Sequence, residues 1–412
     1  MAINVLYVHH AGTFGGASRS LLELIGGFLP GDVAPRLVTQ RGSVARILGS
    51  RGIDVIETSG ITQFDHTRFN HYRGRRWLVL TREALYLPST LLALLRARAR
   101  WKDIDLIHVN EVVALASVIL GKMLFRCPVV VHVRSVQETR RGRLRIRFIS
   151  RMLRRYADAV VAIDETVRRS LPHGIAAEVV HNAYAPQPRK IDMVSAKPPL
   201  PPRRPGILRV AMIGSPLAFK GVREFVEAAR LCRERGLAIE FVMVGVGAAH
   251  EPGILNRMLR ATAFTHDARR EVQGLVAKYG LAESVYLLDF TPDIDRVYAN
   301  IDVLCFPSLL DAVGRPVFEA AFWKVPSIVA VRDPQPDTMI HRETGLCIEP
   351  GDPAAIVEAI SYFNLNRSEL ARMGDAAYRL ALENFDSRRN AARVLEIYRR
   401  VLAAARSAKT PG

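Results

Sequence analysis

Cysteine is scarce in this chain: four residues in 412, Cys127, Cys232, Cys305 and Cys347, all far apart. No Cys-x-x-Cys pair and no histidine at metal-ligand spacing accompanies them, which argues against structural zinc and predicts four free thiols in a reducing compartment. Long hydrophobic runs are missing too. The best candidate, VVALASVIL at 112–120, meets Gly121 and Lys122 and falls short of the roughly 18 apolar residues a membrane span requires. The opening AINVLYV is β-like at once, with no basic leader and no small-residue cleavage site, so a cytoplasmic protein is expected. No internal repeat, heptad run or low-complexity tract occurs outside one proline-rich stretch. Acidic residues are scarce in the first half alone: residues 1–200 hold 30 Lys/Arg against 15 Asp/Glu, the remainder 28 against 25. The positive field therefore belongs to the first half, and it favours an anionic partner: nucleic acid, acidic lipid headgroups or a phosphorylated carrier.

What is present is enough apolar sequence, 49%, to bury two cores, and 412 residues exceed one ordinary domain. Seven prolines between Pro186 and Pro205 cannot continue a helix or a central strand and mark an interdomain linker. Before it, strand-like runs at 3–8, 37–39, 54–57, 106–109, 129–133, 160–163 and 179–180 alternate with helix-like segments. After it the alternation restarts, with strands at 207–213, 239–244, 285–288, around Leu304 and at 327–331, and a helix at 221–235. The expected organisation is a first α/β domain over 1–187, a linker over 188–205, a second α/β domain over 206–385 and a terminal helix over 386–412 that packs back on the first domain. The stripe expected on that last helix is Ala392, Leu395, Tyr398 and Leu402, with Val394 beside it.

Three places carry candidate chemistry. PSLLDAVGRPVFEA, 307–320, sets Asp311 and Glu319 eight residues apart around Gly314 and Pro316. It follows the buried-strand pattern IDVLCF and opens a helix, with Pro316 suited to a first turn. Strand, loop and helix N-terminus together form the part of an α/β fold that holds phosphorylated ligands. Lys220 and Gly221, in GSPLAFKG after the first strand of the second half, place an ammonium and a flexible turn where a helix begins, with Gly214 permitting the turn. Gly15 and Gly16 form a similar strand-to-helix turn after the first strand. Taken singly, each admits a plainer reading: a packing glycine, a solvated lysine, a first-turn glutamate complementing a helix dipole.

Together these segments resemble the family 4 retaining glycosyltransferases of the GT-B fold. Asp311 to Glu319 is similar to their Glu-x7-Glu signature with Asp in the first place. Gly15-Gly16 with Arg19 resembles their N-terminal glycine loop, Asp105 to His108 their "DLIH" strand, and Asn182 the asparagine closing their first domain. Lys220-Gly221, VMVGVG at 242–247 with Gly245, and Thr344-Gly345-Leu346 match further motifs, so the resemblance covers most of the chain. It implies an α/β architecture of two Rossmann-like domains, with mostly parallel sheets facing a cleft. It also implies a sugar nucleotide held mainly by the second domain: Glu319 on the ribose, Asp311 toward the sugar, and Lys220 with amides near Gly314 on the leaving diphosphate. The chain departs from the family where Ser215 replaces an arginine after Gly214, leaving Arg315 as the substitute charge, and where Pro316 removes an amide. In the first domain the relatives' active-site histidine aligns with Arg134, while His132 sits two residues earlier on the same strand face; both stand as candidates.

The expected activity is metal-independent, retaining hexosyl transfer from a nucleotide sugar, a UDP-sugar by family frequency, to a lipid-linked or glycan hydroxyl in cell-envelope or exopolysaccharide synthesis. No cofactor is called for. The pairs Asp103-Ile104-Asp105 and Asp293-Ile294-Asp295 look like metal motifs but sit at element starts. The run 140–155, eight arginines among Leu144, Ile146, Phe148, Ile149, Met152 and Leu153, suits an anionic membrane surface at the inner face of the plasma membrane, as do the Arg/Trp clusters at 73–77 and 96–102. Two alternatives stand beside this reading: an epimerase or phosphorylase on the same fold, and a basic nucleic-acid-binding protein. Against the latter, no zinc pattern, RNA-binding aromatic signature or clear helix-turn-helix is present.

Overall fold

Short apolar segments such as VVVHV at Val129–Val133, buried at every position, can be satisfied only inside a sheet covered on both faces. The chain builds two such sheets. A computed structural model describes residues 2–68, 77–139, 142–186, 200–246, 268–291 and 293–408. They divide into one unit of residues 1–185 with 385–412 and a second of residues 186–384.

The first unit runs β1 (Ile3–His9), α1 (Gly16–Gly27), β2 (Val33–Gln40), α2 (Ser43–Gly49), β3 (Asp54–Thr58), α3 (Trp77–Arg100), β4 (Leu106–Val109), α4 (Leu115–Phe125), β5 (Val129–Val133), α5 (Arg143–Tyr156), β6 (Ala159–Ala162), α6 (Glu165–Arg169) and β7 (Glu178–Val179). Its sheet is ordered β3-β2-β1-β4-β5-β6-β7 and every ladder is parallel, so the winding reverses between β1 and β4. Strand alternation sorts the core. Leu6, Val8, Ile107 and Val109 meet α3, α4 and α5 on one face, while Val5, Tyr7 and Leu37 meet α1 and α2 on the other. β2 is longer than the expected 37–39: it extends back through Pro35 to Val33 in parallel register with β1.

The second unit runs β8 (Leu208–Ile213), α7 (Val222–Glu234), β9 (Ile239–Val244), α8 (Ala268–Lys278), β10 (Val285–Leu288), α9 (Ile294–Tyr298), β11 (Val303–Phe306), α10 (Arg315–Ala321), β12 (Ser327–Ala330), β13 (Gly345–Ile348), α11 (Pro353–Leu365) and α12 (Ser368–Asn384). Its parallel sheet is ordered β10-β9-β8-β11-β12-β13, reversing between β8 and β11. Asp352 caps α11 through the amides of Ala354 and Ala355, with Pro353 in the first turn. A buried Arg209–Glu240 pair, 2.7 Å across the β8–β9 ladder, also reaches the carbonyls of Pro201 and Pro202. Residues 200–205 thus pack on the second unit rather than hanging as linker; the remaining linker residues from 188 lie outside the described ones.

α13 (Ser387–Ser407) returns to the first unit, packing on α1 under the cap of Asp386 on the Arg389 amide. Its buried face is Ala391, Val394, Leu395, Ile397, Tyr398 and Val401, with Leu402 partly buried against the same core and Ala392 exposed. The expected stripe therefore holds at Leu395, Tyr398 and in part Leu402, fails at Ala392, and widens to include Val394. Several apolar registers fit this helix, and Val394 wins because it faces the core beneath α1.

Candidate active site

In the second unit the C-terminal ends of β8 and β11 flank the point where strand order reverses, the usual place for a ligand in an open parallel sheet. Beyond β8, Gly214 (φ +144°) and, beyond β9, Gly245 (φ +98°) lie back to back, with a Cβ on Gly245 falling against the Gly214 carbonyl. Ser215 is exposed. One turn at Ala218–Lys220 leads to Gly221, which presses directly on the Pro307 backbone beyond β11. Two hydrogen bonds to the Phe219 carbonyl, from the Leu309 amide at 2.9 Å and Ser308 Oγ at 3.4 Å, tie these loops together.

This lashing sets Lys220. Its half-buried Nζ stands 5.3 Å from the ring centre of Phe306 and 5.8 Å from that of Phe219, and among the described residues no carboxylate pairs with it. Burial lowers its pKa below the ordinary lysine range. Gly314 packs closely on the same Phe306 ring, which a Cβ there would overlap. An ammonium held between aromatic faces without a counter-ion is a destabilising arrangement that an incoming anion relieves.

The carboxylates are placed differently. Glu319 is buried on α10, where Tyr298 Oη donates to Oε2 at 2.7 Å and Arg315 Nε lies 2.5 Å from Oε1. Arg315 also covers the Phe318 ring at 5.3 Å. Its charge is matched by Glu319, so it does not provide the uncommitted second cation that the sequence suggested for the loss at Ser215. Asp311 adopts a left-handed φ of +54°, and its carboxylate takes the Arg332 amide at 2.8 Å and the Arg332 guanidinium at 3.1 Å. Arg332 also pairs with Glu349. α10 is seven residues long with Pro316 in its first turn, which leaves few amides for an anion.

In the first unit the ends of β1, β4 and β5 hold a buried polar network. Arg134 donates from Nε to Asn110 at 2.8 Å and from Nη1 to Asn182 at 2.5 Å, and its Nη2 lies 3.3 Å from His132 Nδ1. Asn110 meets His9 at 2.9 Å, and His9 meets Ser18 Oγ on α1 at 2.8 Å. The two candidates His132 and Arg134 are therefore neighbours. His132 packs against His108 with the rings tilted and their centres 5.4 Å apart, and His108 bonds the α13 hydroxyl of Tyr398 at 2.6 Å. Glu111 accepts from the Val112 and Arg134 amides and from Ser135 Oγ, and burial pushes its carboxyl up to about 7. Gly15 caps α1 in extended conformation and Gly16 is its first residue; a Cβ at either would meet no neighbour.

Sequence reasoning missed Asn110 and Glu111, although both directly follow a strand at the reversal point. Phe306, Tyr298, Arg332 and Tyr398 carried no local signal, since each joins the site through a non-local contact. The two Asp-Ile-Asp segments serve structure: Asp105 accepts the Asn4 amide at 2.9 Å and Asp293 precedes α9. Among the described residues no three His, Cys, Asp or Glu side chains gather to hold a metal.

Burial depresses the pKa of His108 to about 3 and holds those of His9 and His132 well below the ordinary value, the positive charge of Arg134 adding to the shift. The unfolded chain binds protons near pH 6.5 and the folded one does not. This stability is present above that pH and is lost as pH falls, by about 2 kcal/mol for His108 alone near pH 5. Glu111 has the opposite sign: its contribution is full below about 4.5 and is lost as pH rises through about 7. With four histidines lowered by burial, His10 included, against Glu111 and the likewise raised Glu83, the melting temperature should fall on acidification from about pH 7 to about pH 5. Circular dichroism across that range checks it, and a rising melting temperature would show that the two glutamates dominate.

Comparison with known proteins agrees with this geometry. The family Glycosyltransferase Family 4 matches residues 14–187, and Glycosyl transferases group 1 matches residues 204–380. The chain is 22% identical over 315 residues to MMP alpha-(1->4)-mannosyltransferase of Mycolicibacterium hassiacum, covering 73% of this chain and 72% of that protein. Among solved structures it is similar to Anabaena Alr3699/HepE in complex with UDP and glucose (TM-score 0.71, 16% identity, 96% of this chain and 99% of that one). It is also similar to sucrose-phosphate synthase from Thermosynechococcus elongatus (TM-score 0.71, 17% identity, 98% and 100%). Two doubly wound parallel sheets, with matching family sequence over both, show that the chain belongs to the family 4 glycosyltransferases of the GT-B fold.

Proposed function

We propose that the chain is a retaining hexosyltransferase that takes its sugar from a UDP-sugar and passes it to a hydroxyl of a lipid-linked or growing polysaccharide acceptor. Lys220 carries the reading. A half-buried ammonium with no carboxylate partner among the described residues, at a sheet reversal point, suits a diphosphate whose negative charge grows as the glycosidic bond breaks. Glu319, oriented by Tyr298 and Arg315, holds the ribose hydroxyls; Asp311, steadied by Arg332, faces the sugar. Gly214, where a Cβ would meet no atom, leaves room for the nucleotide backbone, while Gly245 and Gly314 allow the close packing of Gly214 and Phe306 beside it. Anabaena HepE, crystallised with UDP, UDP-glucose and glucose, supports the choice of uridine donor, and the mannosyltransferase relative supports a hexose.

In this reaction the acceptor oxygen bonds to the anomeric carbon on the face the diphosphate leaves, and the acceptor proton passes to the departing phosphate oxygen. Lys220 neutralises the charge so formed, with no resident cofactor and no metal required. The Arg134–His132 cluster and the Gly15-Gly16 turn serve the acceptor side, within a unit whose basic character suits a phosphorylated carrier at the cytoplasmic face of the membrane. A calorimetric panel of sugar nucleotides tests the donor. One UDP-sugar should bind, and Glu319→Gln should weaken it about tenfold while retaining a Tyr298 acceptor. Binding of none by the wild type, or product with inverted anomeric configuration, would sink the proposal.

A further inference from the structure

We propose that the outer side of the α3–α4–α5 layer is a docking surface for an anionic lipid bilayer. An ordinary surface helix turns apolar residues inward and polar ones outward. α3 does not. Ala93, Leu94 and Ala97 are buried against the sheet, yet Leu85, Leu92 and Leu95 repeat at helical spacing on the opposite side, with Leu85 75% exposed. Neighbouring helices continue the pattern, since α4 packs on both α3 and α5. Met123 on α4 is 61% exposed and Leu144 on α5 is 78% exposed, with Phe148 beside it. Apolar residues exposed on three adjacent helices exceed the scattered single leucines of a typical surface.

Charge identifies the occupant. α5 carries six arginines and no acidic residue, and Arg143, Arg147, Arg151, Arg154 and Arg155 are all exposed around Leu144 and Phe148. Arg145 covers the Trp77 ring at 5.2 Å, joining α5 to the start of α3, whose C-terminal end adds Arg96, Arg98 and Arg100. Apolar side chains among guanidinium groups match the two layers of an anionic leaflet, acyl chains below and phosphates above, with long arginine stems spanning the boundary. A second copy of the same basic face would meet like charge, which disfavours self-association through it. Among the described residues no helix is long and apolar enough to cross a membrane, so the contact is peripheral. The Arg73–Trp77 cluster singled out in the sequence lies, apart from Trp77, outside the described residues.

The proposal goes beyond sugar transfer and does not rest on it. Flotation of the full chain with vesicles of phosphatidylcholine alone, or mixed with phosphatidylglycerol, tests it directly. The wild type should float only with the anionic vesicles and be released by salt. The pairs Leu85→Glu/Leu92→Glu and Leu144→Glu/Phe148→Glu, on exposed positions, and Arg147→Glu/Arg151→Glu should each lower partitioning about tenfold or more. All three should keep the wild-type melting temperature and donor affinity, which separates failure here from failure of the transfer reaction. Absence of vesicle binding, or variants that float like the wild type, would overturn the assignment. So would a wild-type dimer in analytical ultracentrifugation that the leucine variants dissociate.

Discussion

Lys220→Ala is expected to lower kcat about 10²- to 10³-fold with a much smaller change in donor KM. The asymmetry follows from when the charge is used. The donor diphosphate is already anionic when bound, but the charge on its bridging oxygen develops only as the bond to the anomeric carbon breaks. Lys220 sits over Phe306 and Phe219 with its pKa lowered by burial, in surroundings where water screens it less than in bulk, so its attraction for new charge is stronger there than in solvent. Lys220→Arg should recover little, because a planar guanidinium does not occupy the compact place of an ammonium between the two rings. Steady-state kinetics with saturating acceptor checks both. A tenfold rise in KM at unchanged kcat would show instead that Lys220 holds substrate and transition state equally. Arg315 provides the contrast: its partner Glu319 already neutralises it, so Arg315→Lys should act mainly on donor affinity through the orientation of Glu319.

Gly221→Ala is expected to cost about 3 kcal/mol of stability or more and to abolish donor binding in the protein that remains folded. Two penalties add here. At φ +79° an alanine enters the left-handed region, and its Cβ would lie far inside van der Waals contact with the Pro307 carbonyl oxygen. Backbone rather than a flexible side chain stands in the way, so the 307–309 loop must move and the Phe219 hydrogen bonds that position Lys220 must break. Gly236 is the control, with a similar φ of +71° and no atom near its would-be Cβ. Gly236→Ala should cost only the conformational term, about 1 kcal/mol, and leave donor binding intact. Thermal melts and calorimetry on the two variants separate strain from loop displacement. Equal destabilisation by both would show that the Pro307 contact is immaterial.

Much of the architecture was legible beforehand for a simple reason. Buried parallel strands are continuous apolar runs, and VVVHV, IEFVMV and VYLL announce themselves with their bounds intact. The terminal helix was legible as a helix and in part of its buried face, Leu395 and Tyr398, but its sequence offers more than one apolar face and only the core beneath α1 selects Ala391 and Val394 over Ala392. The first half of β2 was not legible, since VAPR lacks a continuous apolar run and only parallel pairing with β1 carries the strand through Pro35.

At the candidate site the division is sharper. Sequence by itself determined the residue types and their places at strand ends: Lys220-Gly221, Asp311, Gly314, Glu319, and His132 with Arg134, because turn glycines and strand-end polar residues are local features. Tertiary structure decided which charged groups are already paired or held. Arg315 is neutralised by Glu319, Asp311 is turned to Arg332, and Arg134 is pinned between Asn110 and Asn182, whereas Lys220 faces aromatic rings. Counter-ions come from residues distant in sequence, and whether a charge is neutralised depends on distances of a few ångströms that only packing sets.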